Sequence, residues 1–277
     1  MATSALFLAV VGWLASASIA VAQDDTEVCG AGLRAAAELN AVSLARMAWA
    51  PFGRPETGWA IYEPMVAGEV STACAASTPA FAAHVAIWQR AHGLAGAGVV
   101  DLATLTLMKS IWQSRRPFVA ASRLACPAPP DEAALARADA AESYGGKVIL
   151  LRPSVLSAYR RMVDAARAEL PAVRADGRLL TIFSGYRSPA YDDARCHREL
   201  NCQGVVRATC SAHRTGLAFD LFLGAAPGFP PDSSADANRL FIARGPAYRW
   251  LVRKAARFGF VNYVFEPWHW EFVHERP

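Results

Sequence analysis

The sequence predicts an α+β fold, with a small, mostly antiparallel sheet and flanking helices preceded by a small helical domain. In the second half of the chain, short strand-like runs mix with helical patterns without the strict βαβ rhythm of a parallel sheet. The first half carries helical periodicity only. A Pro-rich segment at residues 126–130 is typical of a linker, so we expect a helical region over 23–125 and a second domain over 131–277.

Composition narrows the class of protein. The 277 residues are 53% hydrophobic and 19% charged, which is ordinary for a globular protein with one large core or two smaller ones. The 28 basic and 24 acidic residues give a net charge of +4, and the basic ones are scattered along the chain. Composition therefore excludes a disordered or collagen-like chain and gives no reason to expect a nucleic-acid partner.

The first 22 residues carry no charge. An apolar run over 6–14 is followed by small residues that end in Ala20-Val21-Ala22, a pattern typical of a cleaved secretory signal peptide. Against this, no Lys or Arg precedes the run, and 22 uncharged residues could also span a bilayer as an uncleaved anchor. We expect an exported protein, periplasmic or extracellular, with no stable membrane insertion unless the signal stays uncleaved.

The helical region contains a recognisable motif. An Ala- and Leu-rich helix is predicted over 31–50, and Thr78 and Asp101 can cap two further helices. The segment of about 56–116 contains Trp88-Gln89, Gly93-Leu94, Gly98-x-x-Asp101 and Thr104-Leu105. In these residues it resembles the three-helix peptidoglycan-binding module, which implies binding to cell-wall glycan and no chemistry. The alternative is that the same residues are the core and turns of any small helical bundle.

The second domain contains both helix-like and strand-like patterns of hydrophobic residues. Side chains alternate across a strand, so Asp220 is expected on the face opposite Phe219 in a strand over 216–223. Pro171 should end an amphipathic helix, and Gly259 should end another. Predicted helices cover 131–143, 155–170 and 248–258, and predicted strands cover 148–151, 178–183, 216–223, 260–265 and 270–273.

Two short stretches in this domain bring together metal-binding groups. His213 precedes Gly216, where the chain can bend back toward Asp220, and a Pro in the second position of Glu266-Pro267-Trp268-His269 favours a turn. Two histidines and one aspartate would leave a zinc ion with an open fourth position, as catalytic sites require. We therefore predict one Zn²⁺ per chain, held by His213, Asp220 and His269.

Two further residues complete the predicted chemistry. Glu266 lies beside a ligand and is the candidate general base for an attacking water. Arg187, which follows a predicted strand, supplies a fixed positive group for a substrate carboxylate or a developing oxyanion.

Three sequence blocks follow one another along the second domain: Ser184-Gly185-Tyr186-Arg187-Ser188, Ser211-x-His213-x-x-Gly216-x-Ala218-x-Asp220 and Glu266-Pro267-Trp268-His269. In this order they resemble the VanY-type zinc D-Ala-D-Ala carboxypeptidases, relatives of the VanX dipeptidases, over about 146–274. The resemblance implies the small α+β sheet of the D-Ala-D-Ala peptidase and hedgehog-like group. It also implies a zinc metallopeptidase that hydrolyses the C-terminal bond of peptidoglycan stem peptides, with Ser211 helping to bind substrate. Tyr186 and Trp270 are further substrate-binding candidates.

Other functions stay open at this point. The same ligand set would serve an L,D-carboxypeptidase, a dipeptidase or an endopeptidase. A protein of another class, an inactive cell-wall-binding protein, would keep the fold without the chemistry. A structural zinc knuckle could form from Cys196, His197, Cys202 and Cys210.

The cysteine count favours disulfides in an exported protein. Six cysteines allow 15 complete pairings, but three lie at or before the linker and three in an insert before the metal motif. Neither group can pair completely within itself, so full oxidation requires a bridge between the groups. We expect the pairs Cys29–Cys74, Cys126–Cys210 and Cys196–Cys202.

Overall fold

The computed structural model describes residues 28–200, residue 202 and residues 210–277. The predicted signal peptide, 1–22, lies outside the described residues. Within them, no helix is both long enough and apolar enough to cross a membrane.

The fold is α+β, as the sequence predicted. The described residues form helices α1 (Arg34–Arg46), α2 (Glu63–Glu69), α3 (Pro79–Ala91), α4 (Leu102–Ser114), α5 (Pro117–Ala121), α6 (Pro153–Glu169), α7 (Pro171–Ala175), α8 (Pro189–Arg198), α9 (Asp236–Arg244) and α10 (Pro246–Lys254). The strands are β1 (Ala48–Trp49), β2 (Glu56–Thr57), β3 (Ala136–Arg137), β4 (Leu150–Leu151), β5 (Ile182–Ser184), β6 (Ala218–Leu221), β7 (Phe260–Asn262) and β8 (His269–Phe272).

The central sheet has four strands in the order β5-β6-β8-β7, and all its pairings are antiparallel. One face packs on α6 and α10 in a core that includes Phe219 and Leu221 from β6, Leu217 just before β6, and Tyr159 from α6. The alternate side chain Asp220 lies on the other face, as strand periodicity predicts. The sheet thus separates an apolar core from a polar face.

Helices α1–α5, residues 28–121, form what we call the helical unit. Its motif residues hold the unit together from within. The Gln89 side-chain amide accepts a hydrogen bond from Gly98 N at 2.8 Å and donates to Val99 O at 2.8 Å and Thr104 Oγ1 at 2.9 Å. Asp101 accepts from Thr104 N at 2.8 Å and caps α4, as predicted. These contacts fix the loop between α3 and α4 and satisfy a buried amide.

The helical unit packs closely against the rest of the chain. Arg239 from α9 is fully buried and pairs with Glu56 of β2 at 2.9 Å. The same guanidinium donates to the Tyr62 hydroxyl at 2.6 Å and to Phe265 O at 2.9 Å. Val264 is inserted into the core of the helical unit. Residues on both sides of the Pro-rich segment therefore share one buried interface.

The alanine-rich segment 131–143 differs from its prediction as a helix. Two 3₁₀ turns, Glu132–Ala134 and Ala140–Glu142, flank β3, which pairs antiparallel with β4. Asp131 accepts a hydrogen bond from Ala133 N at 3.0 Å, which stabilises the first turn. Strand pairing with β4 overrides the helix propensity of the alanines.

The three disulfides are the predicted ones. Cys29 pairs with Cys74, Cys126 with Cys210 and Cys196 with Cys202. The structural zinc knuckle is therefore not supported, because its three cysteines are all in bridges and offer no thiolate. Cys126–Cys210 joins the Pro-rich segment to the residue before Ser211.

Candidate metal centre

Three strands align polar side chains in one row of the central sheet. Asp220 of β6 lies opposite Ser184 of β5 on one side and opposite His269 of β8 on the other. Directly opposed residues of antiparallel strands have their side chains on the same face and close together. The register therefore sets the carboxylate of Asp220 beside the imidazole of His269.

A tight turn adds the second imidazole. His213 lies in the 3₁₀ turn Ala212–Thr215, which ends at Gly216 with a left-handed φ of 68°. A side chain at Gly216 would be strained in this conformation and would lie 3.1 Å from Leu135. The turn leads directly into β6, so His213 returns to the row that holds Asp220.

The three donor atoms converge. His213 Nε2 lies 3.2 Å from Asp220 Oδ1 and 3.1 Å from His269 Nδ1, and His269 Nδ1 lies 2.9 Å from the same carboxylate oxygen. All three side chains are buried. The turn in Glu266-Pro267-Trp268-His269 also forms as predicted, because His269 N donates to Glu266 O at 2.8 Å.

The protonation state of His213 indicates that the three-residue cluster can hold a cation. Burial, together with the nearby Arg187 charge, lowers the pKa of His213 to about 4, and its Nδ1 donates to Gly185 O at 2.8 Å. The Nε2 lone pair of the neutral ring therefore faces a carboxylate oxygen. Two acceptors at this distance need a proton or a cation between them.

His269 is the member of the cluster whose pKa is raised. Burial lowers the pKa of His269, but its contacts with Asp220 and Glu271 outweigh burial and raise the value to about 9. Burial also raises the pKa of Asp220, but the two histidines hold that pKa well below its usual range. The donor set of two imidazoles and one carboxylate fits zinc.

Arg187 is fixed at the edge of this cluster. Its Nε donates to Asp192 Oδ1 at 2.8 Å, its Nη1 to Ser184 Oγ at 2.9 Å and its Nη2 to Ser211 Oγ at 2.8 Å. Arg187 Nη1 also lies 3.9 Å from Asp220 Oδ2. Ser211, predicted to bind substrate, therefore orients this guanidinium, and it also lines the adjoining cavity.

The cluster opens into a polar cavity of about 320 Å³. Glu266, Arg187 and Ser211 line it together with the three donor residues. Burial raises the pKa of Glu266 above its usual value of 4.5. A raised pKa suits a group that must accept a proton and then release it.

The region that holds this centre matches a known family. Residues 148–275 match the family model of VanY, D-alanyl-D-alanine carboxypeptidase. This stretch is a VanY domain.

Several solved structures match part of the chain. The LD-carboxypeptidase LdcB is 23% identical, with 52% of this chain and 69% of that chain covered and a TM-score of 0.38. A mutant VanY D,D-pentapeptidase from a VanB-type resistance cassette, in complex with Zn(II), is 19% identical over 52% of this chain and 83% of that one, with a TM-score of 0.30. VanYB in complex with D-Alanine-D-Alanine is 21% identical over 55% of this chain and 83% of that one, with a TM-score of 0.31. No curated protein matches the chain.

Two predicted substrate contacts lie elsewhere in the VanY domain. Trp270 is 2% exposed and packs in the core beside Tyr248, because it alternates with His269 along β8 and faces the opposite side. The Tyr186 hydroxyl is hydrogen-bonded to Glu132, on a segment that does not line the cavity. Neither side chain lines the cavity, so both substrate contacts stay predictions.

Three residues near the centre were not predicted. Asp192 is buried and anchors Arg187, and no sequence signal pointed to it. Glu271 lies two residues after His269 on the same face of β8, so strand alternation could have found it. Arg116 reaches this face from the helical unit and pairs with Glu271 at 2.5 Å. Burial raises the pKa of Glu271, but the charges of Arg116 and His269 and their hydrogen bonds to the carboxylate together outweigh burial and lower the pKa to about 2.

Proposed function

We propose that this protein is a zinc-dependent D-alanyl-D-alanine carboxypeptidase that hydrolyses the C-terminal peptide bond of peptidoglycan stem peptides. The proposal rests on one observation: the donor atoms of His213, Asp220 and His269 converge beside Glu266 and Arg187 in a single cavity of a VanY domain. One zinc ion per chain would be held by these three side chains. Bound zinc would supply Lewis acidity that polarises the scissile carbonyl and lowers the pKa of water.

Two side chains, Glu266 and Arg187, carry out the proton transfer and the charge stabilisation. Glu266 accepts a proton from the attacking water and returns it to the leaving amine, which balances the hydrolysis. Arg187 is already held by three hydrogen bonds, so it offers a preorganised positive charge for the substrate carboxylate or the developing oxyanion.

Export and wall binding are parts of the same proposal. Three disulfides favour an oxidising compartment, which supports a periplasmic or extracellular enzyme. The resemblance of the helical unit to the peptidoglycan-binding module supports binding to wall glycan. Co-sedimentation of the whole chain with purified sacculi tests this second point, and a chain that stays in the supernatant would exclude it.

Mass spectrometry of defined muropeptides tests the activity. We expect a pentapeptide stem ending in D-Ala-D-Ala to lose one alanine, and the reaction to stop with a chelator and resume with zinc. Release of alanine only from tetrapeptide stems would establish an L,D-carboxypeptidase. Cleavage of free D-Ala-D-Ala alone would establish a dipeptidase, and cleavage of cross-links would establish an endopeptidase. No cleavage by zinc-loaded protein would leave an inactive wall-binding protein.

A further inference from the structure

Glu271 connects the helical unit with the candidate metal centre. It is 2% exposed, and both of its carboxylate oxygens accept hydrogen bonds from the helical unit. Arg116 Nε donates to Oε1 at 2.7 Å, and Phe118 N donates to Oε2 at 3.3 Å. The carboxylate therefore has one fixed orientation, set by residues of a distant part of the chain.

Arg116 is itself held in place. Its side chain is 8% exposed, and its Nη1 donates to Gln113 Oε1 at 3.1 Å. The guanidinium lies over the Tyr263 ring at 3.9 Å from the centroid, a cation–π contact. A planar group fixed on both edges and on one face orients a carboxylate far better than a mobile point charge does.

The oriented carboxylate faces a candidate metal ligand. Glu271 Oε1, the oxygen that Arg116 holds, lies 3.4 Å from His269 Nε2, within ion-pair distance. The opposite ring atom, Nδ1, is the one that converges with Asp220 and His213. In metal sites, a carboxylate that accepts from the second ring nitrogen of a histidine fixes both the tautomer and the ring orientation.

We propose that Arg116 of the helical unit is a positioning residue of the metal centre, which holds Glu271 against His269 Nε2 so that His269 Nδ1 faces the metal. The helical unit is then a structural part of the active site as well as a neighbour of it. Among the described residues, the other ion pairs across this interface, such as Arg249–Glu63 at 2.8 Å, involve no residue that lines the cavity. This inference rests on the proposed zinc function.

Zinc affinity, measured by competition with a chromophoric chelator on the whole chain, tests the inference independently of activity. We expect Arg116→Gln to weaken zinc binding by about 10- to 100-fold, the usual effect of removing an outer partner of a ligand. Arg116→Lys keeps the buried charge, so its zinc affinity should lie between those of Arg116→Gln and the wild type. If Arg116→Gln does not fold, Arg116→Lys tests the inference in its place. Arg115→Gln is the matched control, because Arg115 is adjacent, half-exposed and paired with Glu69 instead. It should bind zinc within about threefold of the wild type, since it does not touch a ligand.

A double variant separates positioning from general stabilisation. If Arg116 acts through Glu271, Arg116→Gln combined with Glu271→Gln should bind zinc no more weakly than the weaker single variant. Additive losses, or a folded Arg116→Gln that binds zinc as tightly as the wild type, would overturn the inference and leave the zinc function intact. A wild-type chain that binds no zinc would instead overturn the proposed function.

Discussion

Asp220 and His269 lie directly opposite each other in the antiparallel register of β6 and β8, and this pairing holds Asp220 Oδ1 2.9 Å from His269 Nδ1. The sheet therefore fixes two of the three candidate ligands through backbone hydrogen bonds. Only His213 depends on a turn, and that turn is continuous with β6. A site built on paired strands keeps its geometry better than one built on loops.

Removal of a candidate ligand should remove the metal. We expect His213→Ala and Asp220→Ala to lose bound zinc and to lower activity by more than about a hundredfold, because the Lewis acid is lost. Metal analysis of the purified variants measures the first effect. His84→Ala, in the helical unit, is the control and should keep one zinc per chain. Wild-type activity that survives exhaustive chelation would contradict the zinc mechanism.

Glu266→Gln should separate metal binding from turnover. The amide cannot accept a proton, so kcat should fall by about 10²–10⁴-fold while zinc content stays unchanged. Steady-state kinetics on a D-Ala-D-Ala stem peptide, alongside metal analysis, measures both. A variant with kcat close to that of the wild type would show that another group is the base.

The buried ion pair between Arg239 and Glu56 should make the two halves of the chain unfold together. Glu56→Ala leaves the guanidinium buried without its main partner, which typically costs about 3–5 kcal/mol. Arg249→Gln breaks a half-exposed pair in the same interface and should cost less than about 1 kcal/mol. Urea denaturation measures the loss of unfolding free energy in both variants. The wild type should show one unfolding transition. Two separate transitions would show that the helical unit and the VanY domain are independent.

The bridge between Cys126 and Cys210 should stabilise more than the local bridge. It closes a sequence separation of 84, against 6 for Cys196–Cys202. In the chain-entropy model, replacing the long-range pair by serines costs about 4.5 kcal/mol, and replacing the local pair costs about 2 kcal/mol. Thermal unfolding of the two double variants compares them. Equal losses would indicate that chain entropy does not determine the effect.

Glu69 should contribute to acid sensitivity. Burial raises its pKa, but hydrogen bonds and charge from Arg115, with bonds from Trp112 and Trp88, bring the pKa below its usual 4.5. The unfolded chain then takes up the proton at higher pH than the folded one. The contribution is therefore full above the unfolded value and is lost as pH falls through the folded pKa. Urea titrations from about pH 6 to about pH 3 measure the free energy of unfolding at each pH. As pH falls, this free energy should decrease less steeply for Glu69→Gln than for the wild type. Identical slopes would rule this contribution out.

The sequence by itself determined the features that depend on local spacing. Alternation placed Asp220 and Phe219 on opposite faces of one strand, and Pro267 predicted the turn that joins Glu266 to His269. The same alternation, applied to β8, would have assigned Trp270 to the core and Glu271 to the polar face. Parity of the cysteines required a bridge between the two groups, and the structure has it.

Only the tertiary structure decided what lies between distant segments. Arg116 and Glu271 are 155 residues apart, and Arg239 and Glu56 are 183 apart, so no periodicity relates them. The segment 131–143 is not helical because β3 pairs with β4, a contact that alanine propensity does not report. Pairing, burial and charge compensation between remote residues depend on the packed chain as a whole. For that reason the predicted linker did not reveal a helical unit that shares a buried interface with the VanY domain.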